Sequence, residues 1–312
     1  MKINRAPILL SGLILGLLGT GNLLLDHHVF FFHFFSSLGI VLWFYLLTSL
    51  VLFWKDYLVE IQKPPILSAF ATFPMATMLL AAYLLKLNSQ LAIISRLLWY
   101  AALFFHIFLI LYFTWKYVLK AKTWFVTPSW TVLYVGISVA GLTNGVVEHP
   151  LLGYSTIIFG LIASVLLYPL LFKKLSYQPL PDFLKPQLAI FCAPFSLILA
   201  SYIRLAGIGA NALLLILLLL ISQLFHLLVL VLLPKIFKLG FQPSLSALTF
   251  PLVNTALALK LALVSLGWDR LFNWLVHLET ILASLVVLYV LVFYARLFFS
   301  KKIVNREIQK SR

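Results

Sequence analysis

Between Ala212 and Leu233 the chain reads ALLLILLLLISQLFHLLVLVLL, a run with no formally charged side chain. Such a run fits a bilayer, where no water satisfies the backbone and a single segment must therefore cross as a helix. A crossing needs about 20 mostly apolar residues. Ten stretches meet that length, at approximately 7–25, 31–54, 65–85, 91–115, 128–147, 151–172, 186–206, 210–233, 243–265 and 271–299. Composition agrees: 63% of the chain is hydrophobic, 10% is charged and the mean hydropathy is +1.08. The reading is one all-α membrane domain over 1–300, followed by a basic tail at 301–312.

The net charge of +15 has a topological explanation. With the N-terminus placed in the cytoplasm, 18 Lys and Arg side chains fall on the inner side and 5 on the outer. That asymmetry is the positive-inside signature. It puts both termini in the cytoplasm and accounts for the charge without a nucleic-acid partner. The basic-then-apolar N-terminus resembles a signal peptide but lacks a small-residue cleavage site, so it reads as the first span. With no organelle-targeting segment visible, a bacterial plasma membrane is the expected location. The one cysteine, Cys192, excludes an internal disulfide and any cysteine metal cluster. No cofactor is implied.

A repeat is written in proline. Each odd-numbered span opens on one, at Pro7, Pro65, Pro128, Pro186 and Pro243, with spacings of 58, 63, 58 and 57. A second helix breaker follows eight or nine residues later, at Gly16, Pro74, Gly136, Pro194 and Pro251, with spacings of 58, 62, 58 and 57. The chain is therefore five helical hairpins of one length. The second breaker lies about 12 Å along each span at roughly 1.5 Å per residue, near the bilayer centre. A proline there frees the carbonyl four residues back: Phe70 for Pro74, Ile190 for Pro194 and Ala247 for Pro251. Breakers at one depth favour a shared axis over five unrelated kinks.

Polar side chains concentrate on the odd spans, for example Ser68, Thr72 and Thr77, or Ser246, Thr249, Asn254 and Thr255. The odd helices are expected inside and the even ones outside, either to line a pore or to pack through small residues.

Taken together, RAPILLSGLILGLLGTGN, FATFPMATMLL, TPSWTVLYVGISVAG, KPQLAIFCAPFSLILASY and SALTFPLVNTALA resemble the odd-helix motifs of the tellurite-resistance/dicarboxylate transporter family. That family includes bacterial TehA and the slow-type anion channels of plant guard cells. The resemblance covers nearly the whole chain. It implies ten transmembrane helices in quasi-five-fold arrangement around a central pore, five inside and five outside, in a homotrimer. It also implies that a phenylalanine of the ninth helix occludes the pore, and Phe250 holds that position. Phe73 and Phe195 flank equivalent breakers and are secondary pore-lining candidates. Many members carry a tryptophan ahead of the ninth-helix motif, where this chain has Ser246-Ala247-Leu248.

The chemistry of the spans favours anions or neutral solutes over cations. Of eight acidic residues only Glu279 lies well inside a span, whereas cation paths present Asp or Glu rings. Lys86, Arg204 and Lys260 end odd spans on the outer side, where they would either ring an anion vestibule or anchor at headgroups. His27, His28 and His33 surround the first outer loop with loose spacing, and no metal site is expected of them. The expected function is a channel or transporter for small anions of the tellurite, C4-dicarboxylate, sulfite, chloride or nitrate class. The alternatives are a proton-coupled organic-anion or sulfite exporter on the same fold, and an intramembrane enzyme built on His226, His277 and Glu279.

Overall fold

The computed structural model describes residues 5–299, and no strand occurs among them. The tail at 301–312 lies outside the described residues. Eight helices are long and apolar enough to cross a membrane. They are α2 (Val29–Leu52), α3 (Pro64–Leu87), α4 (Ser89–Leu119), α6 (Pro150–Tyr177), α7 (Asp182–Gly209), α8 (Ala212–Phe237), α9 (Pro243–Leu266) and α10 (Asp269–Phe298). The first and fifth expected spans are shorter apolar helices, α1 (Leu10–Leu24) and α5 (Ser129–Leu142). Helix α5 falls short because the chain leaves helical geometry at Thr143 and re-enters only as a 3₁₀ turn, Asn144–Val146.

Burial alternates along the chain. In their most apolar windows α3, α7 and α9 are 67–83% buried, whereas α2, α4, α6, α8 and α10 are 33–44% buried. Helices α1 and α5 are buried along almost their whole length. The sequence explains the split. The outer helices carry Phe, Leu, Ile and Val around their circumference, as at Phe104, Phe108 and Leu111, which are exposed and suited to lipid. The inner helices carry the small and hydroxyl residues that let backbones approach.

The inner helices meet one another in chain order, and the fifth closes on the first: α1 packs on α3 and α9, α3 on α5, α5 on α7 and α7 on α9. Each junction carries a hydrogen bond, buried at four of them and part-buried between α1 and α3. Ser11 and Thr72 hydroxyls lie 2.6 Å apart across α1 and α3, and Ser68 and Ser129 2.8 Å apart across α3 and α5. Ser201 donates to the Ser138 carbonyl at 2.8 Å, Asn254 donates to Ser196 at 2.8 Å, and Thr249 donates to the Gly12 carbonyl at 2.9 Å. Many of the hydroxyls noted in the sequence thus join neighbouring helices.

Near four of the five expected breakers the helix changes type, whereas α1 stays α-helical straight through Gly16, which acts as a close-contact point and not as a break. Helix α3 is interrupted at Phe70–Ala71, α7 runs as a 3₁₀ helix over Asp182–Cys192 before becoming α-helical at Ala193, and α9 does so over Pro243–Leu248. The carbonyls freed by proline take tighter partners: Phe70 accepts from the Phe73 amide at 2.8 Å, and Ile190 accepts from the Ala193 amide. Outer helices supply further donors. His106 Nε2 lies 2.8 Å from the Leu133 carbonyl, and the Tyr168 hydroxyl donates to Phe191 at 2.5 Å.

Helices α1 and α9 approach one another closely. A Cβ built at Gly16 would meet Thr249 Cβ at 2.4 Å and Oγ1 at 2.5 Å. Gly16→Ala is therefore expected to destabilise the protein by ~1–3 kcal/mol through overpacking, read as a lower thermal unfolding midpoint in detergent. Gly145→Ala, whose new methyl would meet nothing within 4 Å, is the neutral control.

Candidate functional site

The bends leave a cavity of about 50 Å³ on the axis between the inner helices. A cavity needs roughly 10–15 Å³ on this measure to hold one water, so the space accommodates a few. All five inner helices line it: Gly12 and Leu15 from α1, Thr72 and Met75 from α3, Val135 and Gly136 from α5, Pro194 and Leu197 from α7, Phe250 and Pro251 from α9. The wall is mostly apolar and carries no acidic or basic side chain. Its polar points include Thr72, Thr131, Gln187, Ser244 and Ser246.

The cavity occupies the N-terminal halves of the inner helices and ends at the level of the breakers. Phe250 sits at that boundary and is 5% exposed. Its ring lies against Gly19 of α1, where an added Cβ would stand 3.3 Å from Cδ2 and 3.6 Å from Cε2. The missing side chain at Gly19 is what makes room for the ring.

Three of the breakers named from sequence, Gly136, Pro194 and Pro251, touch the cavity; Gly16 and Pro74 are not among its lining residues. Phe73 and Phe195 lie off the lining as well. Phe73 stacks on Trp43 of α2 at 5.9 Å, and Phe195 stacks on Phe225 of α8 at 5.9 Å. Phe73 stands directly before its breaker, as Phe250 does, and Phe195 directly after its own, so sequence position alone does not fix which aromatic reaches the axis.

Beyond Phe250, about ten residues or ~15 Å along α9, the basic residues Lys86, Arg204 and Lys260 gather around one acid. Asp26 lies in the turn after α1, and its Oδ2 is 2.8 Å from Lys260 Nζ. Lys86 and Arg204 are both within electrostatic range of it. Lys86 donates to Asn22 at 3.0 Å and sits over the Phe32 ring at 5.6 Å. The hydrogen bond from Lys260, helped by the charges of Lys260 and Arg204, holds the Asp26 carboxyl below its ordinary range although partial burial opposes this. Burial and the charge of Lys260 hold the neighbouring His27 imidazole below its ordinary range. Sequence reasoning passed over Asp26. The available signal was that it is the sole acid in the first outer loop, where three basic helix ends need a counter-charge.

The histidines are dispersed. His28 caps α2, His33 shares a hydrogen bond of 3.0 Å with Tyr83, and His277 lies beside His27 and Asn273. Among the described residues no three metal-ligating side chains come together. His226 and Glu279 approach to 3.8 Å, and His277 is not with them.

Long apolar helices, buried hydroxyls at the inner seams and lipid-suited outer faces make this a multi-pass helical membrane protein. More particularly, residues 6–295 match the model of the SLAC1 family, described as voltage-dependent anion channels, and the chain belongs to that family. Family membership makes it an anion channel or transporter. No individual curated protein matches the chain.

The Asp26 carboxylate titrates below its unfolded value, so the ion pair is retained above that value and lost only as pH falls through the depressed one. Lys260→Met is expected to return the Asp26 pKa upward, read by NMR titration of the labelled carboxyl.

Proposed function

We propose that this protein conducts small anions passively along the axis of its five inner helices, with the ring of Phe250 as the gate. The observation that carries the reading is the cavity to which all five inner helices contribute, free of charged side chains and ending against Phe250. The closed order of inner packing supports ten membrane crossings in quasi-five-fold arrangement, with α1 and α5 as the two short crossings. The absence of carboxylates from the lining disfavours cations, which carboxylate rings would attract. Lys86, Arg204 and Lys260 form the outer vestibule, where low-dielectric walls focus their potential and concentrate anions. The reading places the protein in the cell membrane with both termini cytoplasmic, and in the homotrimer that the family resemblance implies. An apolar lumen selects by size and dehydration, which fits chloride, nitrate or sulfite as readily as tellurite or a C4-dicarboxylate.

Two experiments test the gate and the mouth. Phe250→Ala is expected to raise anion flux into proteoliposomes well above wild type; a folded variant that stays closed refutes the gate. Lys260→Glu is expected to reduce flux strongly at low salt and little at high salt, because the screening length shrinks from about 30 Å at 0.01 M to about 3 Å at 1 M. An effect equal at all salt concentrations removes the vestibule role.

A further inference from the structure

Two ionisable side chains are buried away from the axis. His226 lies midway along α8 and Glu279 on α10, with Nε2 and Oε1 3.8 Å apart and exposures of 3% and 5%. Neither ring nitrogen of His226 has a hydrogen-bond partner among the described residues, and the Glu279 carboxyl has the Gln223 side-chain amide beside it as a loosely placed donor. Gln223 stands one turn before His226, and the Ser222 hydroxyl on the same face is unpartnered among the described residues. This unsatisfied polar group lies in a seam between two lipid-facing helices.

The surroundings offer no other charge to balance it. Helix α1 has no ionisable side chain, and the one on α9 is Lys260, engaged with Asp26 at the far end. Helix α7 brings Cys192 within electrostatic range of Glu279. On α10, His277 stands two residues before Glu279 but on an exposed face, where it pairs with Asn273, and Tyr289 lies further along; the charged side chains Arg204, Lys235 and Arg296 lie toward the helix ends. An uncompensated charge buried in a bilayer is costly. The favoured state of the pair is therefore net neutral, either as a protonated carboxyl beside a neutral imidazole or as a carboxylate beside an imidazolium. Both forms hold the same number of protons, and the pair titrates as one unit.

We propose that His226 and Glu279 form an intramembrane proton-binding site that retains one exchangeable proton at neutral pH and makes anion flux respond to pH through α9. The second half rests on the proposed channel function. Neither residue lines the cavity, so the proton does not share the anion's path. The link runs through the packing of α9 against α7, α8 and α10. Asn254, one turn after Phe250, donates to Ser196, and Thr255 donates to the Cys192 carbonyl at 3.3 Å. Loss of the proton leaves a bare carboxylate beside this seam, and uptake of a second leaves a bare imidazolium.

The test uses the full-length protein in nanodiscs, with infrared spectroscopy of carboxyls and ¹⁵N NMR of histidines. At neutral pH the wild type should show either a protonated carboxylic acid or an imidazolium, and that signal should be lost in Glu279→Gln. His226→Gln should keep a protonated carboxylic acid. An ionised carboxylate beside a neutral imidazole at neutral pH overturns the site. In proteoliposomes, Glu279→Gln should remove one step from the pH profile of anion flux. An unchanged profile overturns the coupling to flux. Absence of anion flux from every variant, Phe250→Ala included, counts against the channel reading and the coupling, while the spectra still decide the proton site.

Discussion

A helix that breaks inside a bilayer must find new donors for the carbonyls it releases, and this requirement organises the inner helices. Water is not available in the hydrocarbon, and an unsatisfied carbonyl there costs several kcal/mol. Tightening to 3₁₀ geometry satisfies part of the need within the same chain, as at Phe70 and Ile190. Neighbours satisfy more. His106 reaches Leu133, Tyr168 reaches Phe191, and Ser201 reaches Ser138 from the adjacent inner helix. Each such bond fixes one helix against another at the depth where both are bent. The bends and seams therefore define the same level of the molecule, and the cavity lies at that level.

The hydroxyl and amide residues at these seams settle what the sequence left open between lining and packing. Ser11, Ser68, Ser196, Ser201 and Thr249 serve the junctions, while Thr131 and Ser246 reach the cavity. Thr72 does both. A hydroxyl in an apolar run says that the helix faces protein. It does not say whether the next atom belongs to a neighbour or to a lumen, because that depends on the rotation of the partner helix. The spans and their period were legible for a simpler reason. Length, apolarity and proline position are properties of one segment alone.

The same distinction explains the other differences. Phe73 has the sequence setting of Phe250, yet its ring stacks on Trp43 because the indole of α2 offers a face there. Phe250 stacks on no ring among the described residues and faces Gly19. Asp26 acquires meaning only when Lys260, far along the chain, folds beside it. His226 and Glu279 stand on different hairpins, so helical spacing on either one conceals their contact. Each of these is a pair across helices, and one sequence without its contacts carries no record of such pairs.

A ring of helices tied at every seam is poorly suited to opening by wholesale rearrangement. Four buried hydrogen bonds and one part-buried one close the circuit, and separating a junction would strand polar groups in the membrane interior. A side-chain rotation has no such cost. Rotamer wells differ by little in energy, and an aromatic ring with free space beside it exchanges between them without moving backbone. Phe250 borders an existing cavity on one side and the bare backbone of Gly19 on the other. In the proposed channel the scaffold stays rigid and the moving part is one ring. Gating is then set by whatever shifts the local packing of α9, and charge at the mouth sets how many anions are waiting when the ring turns.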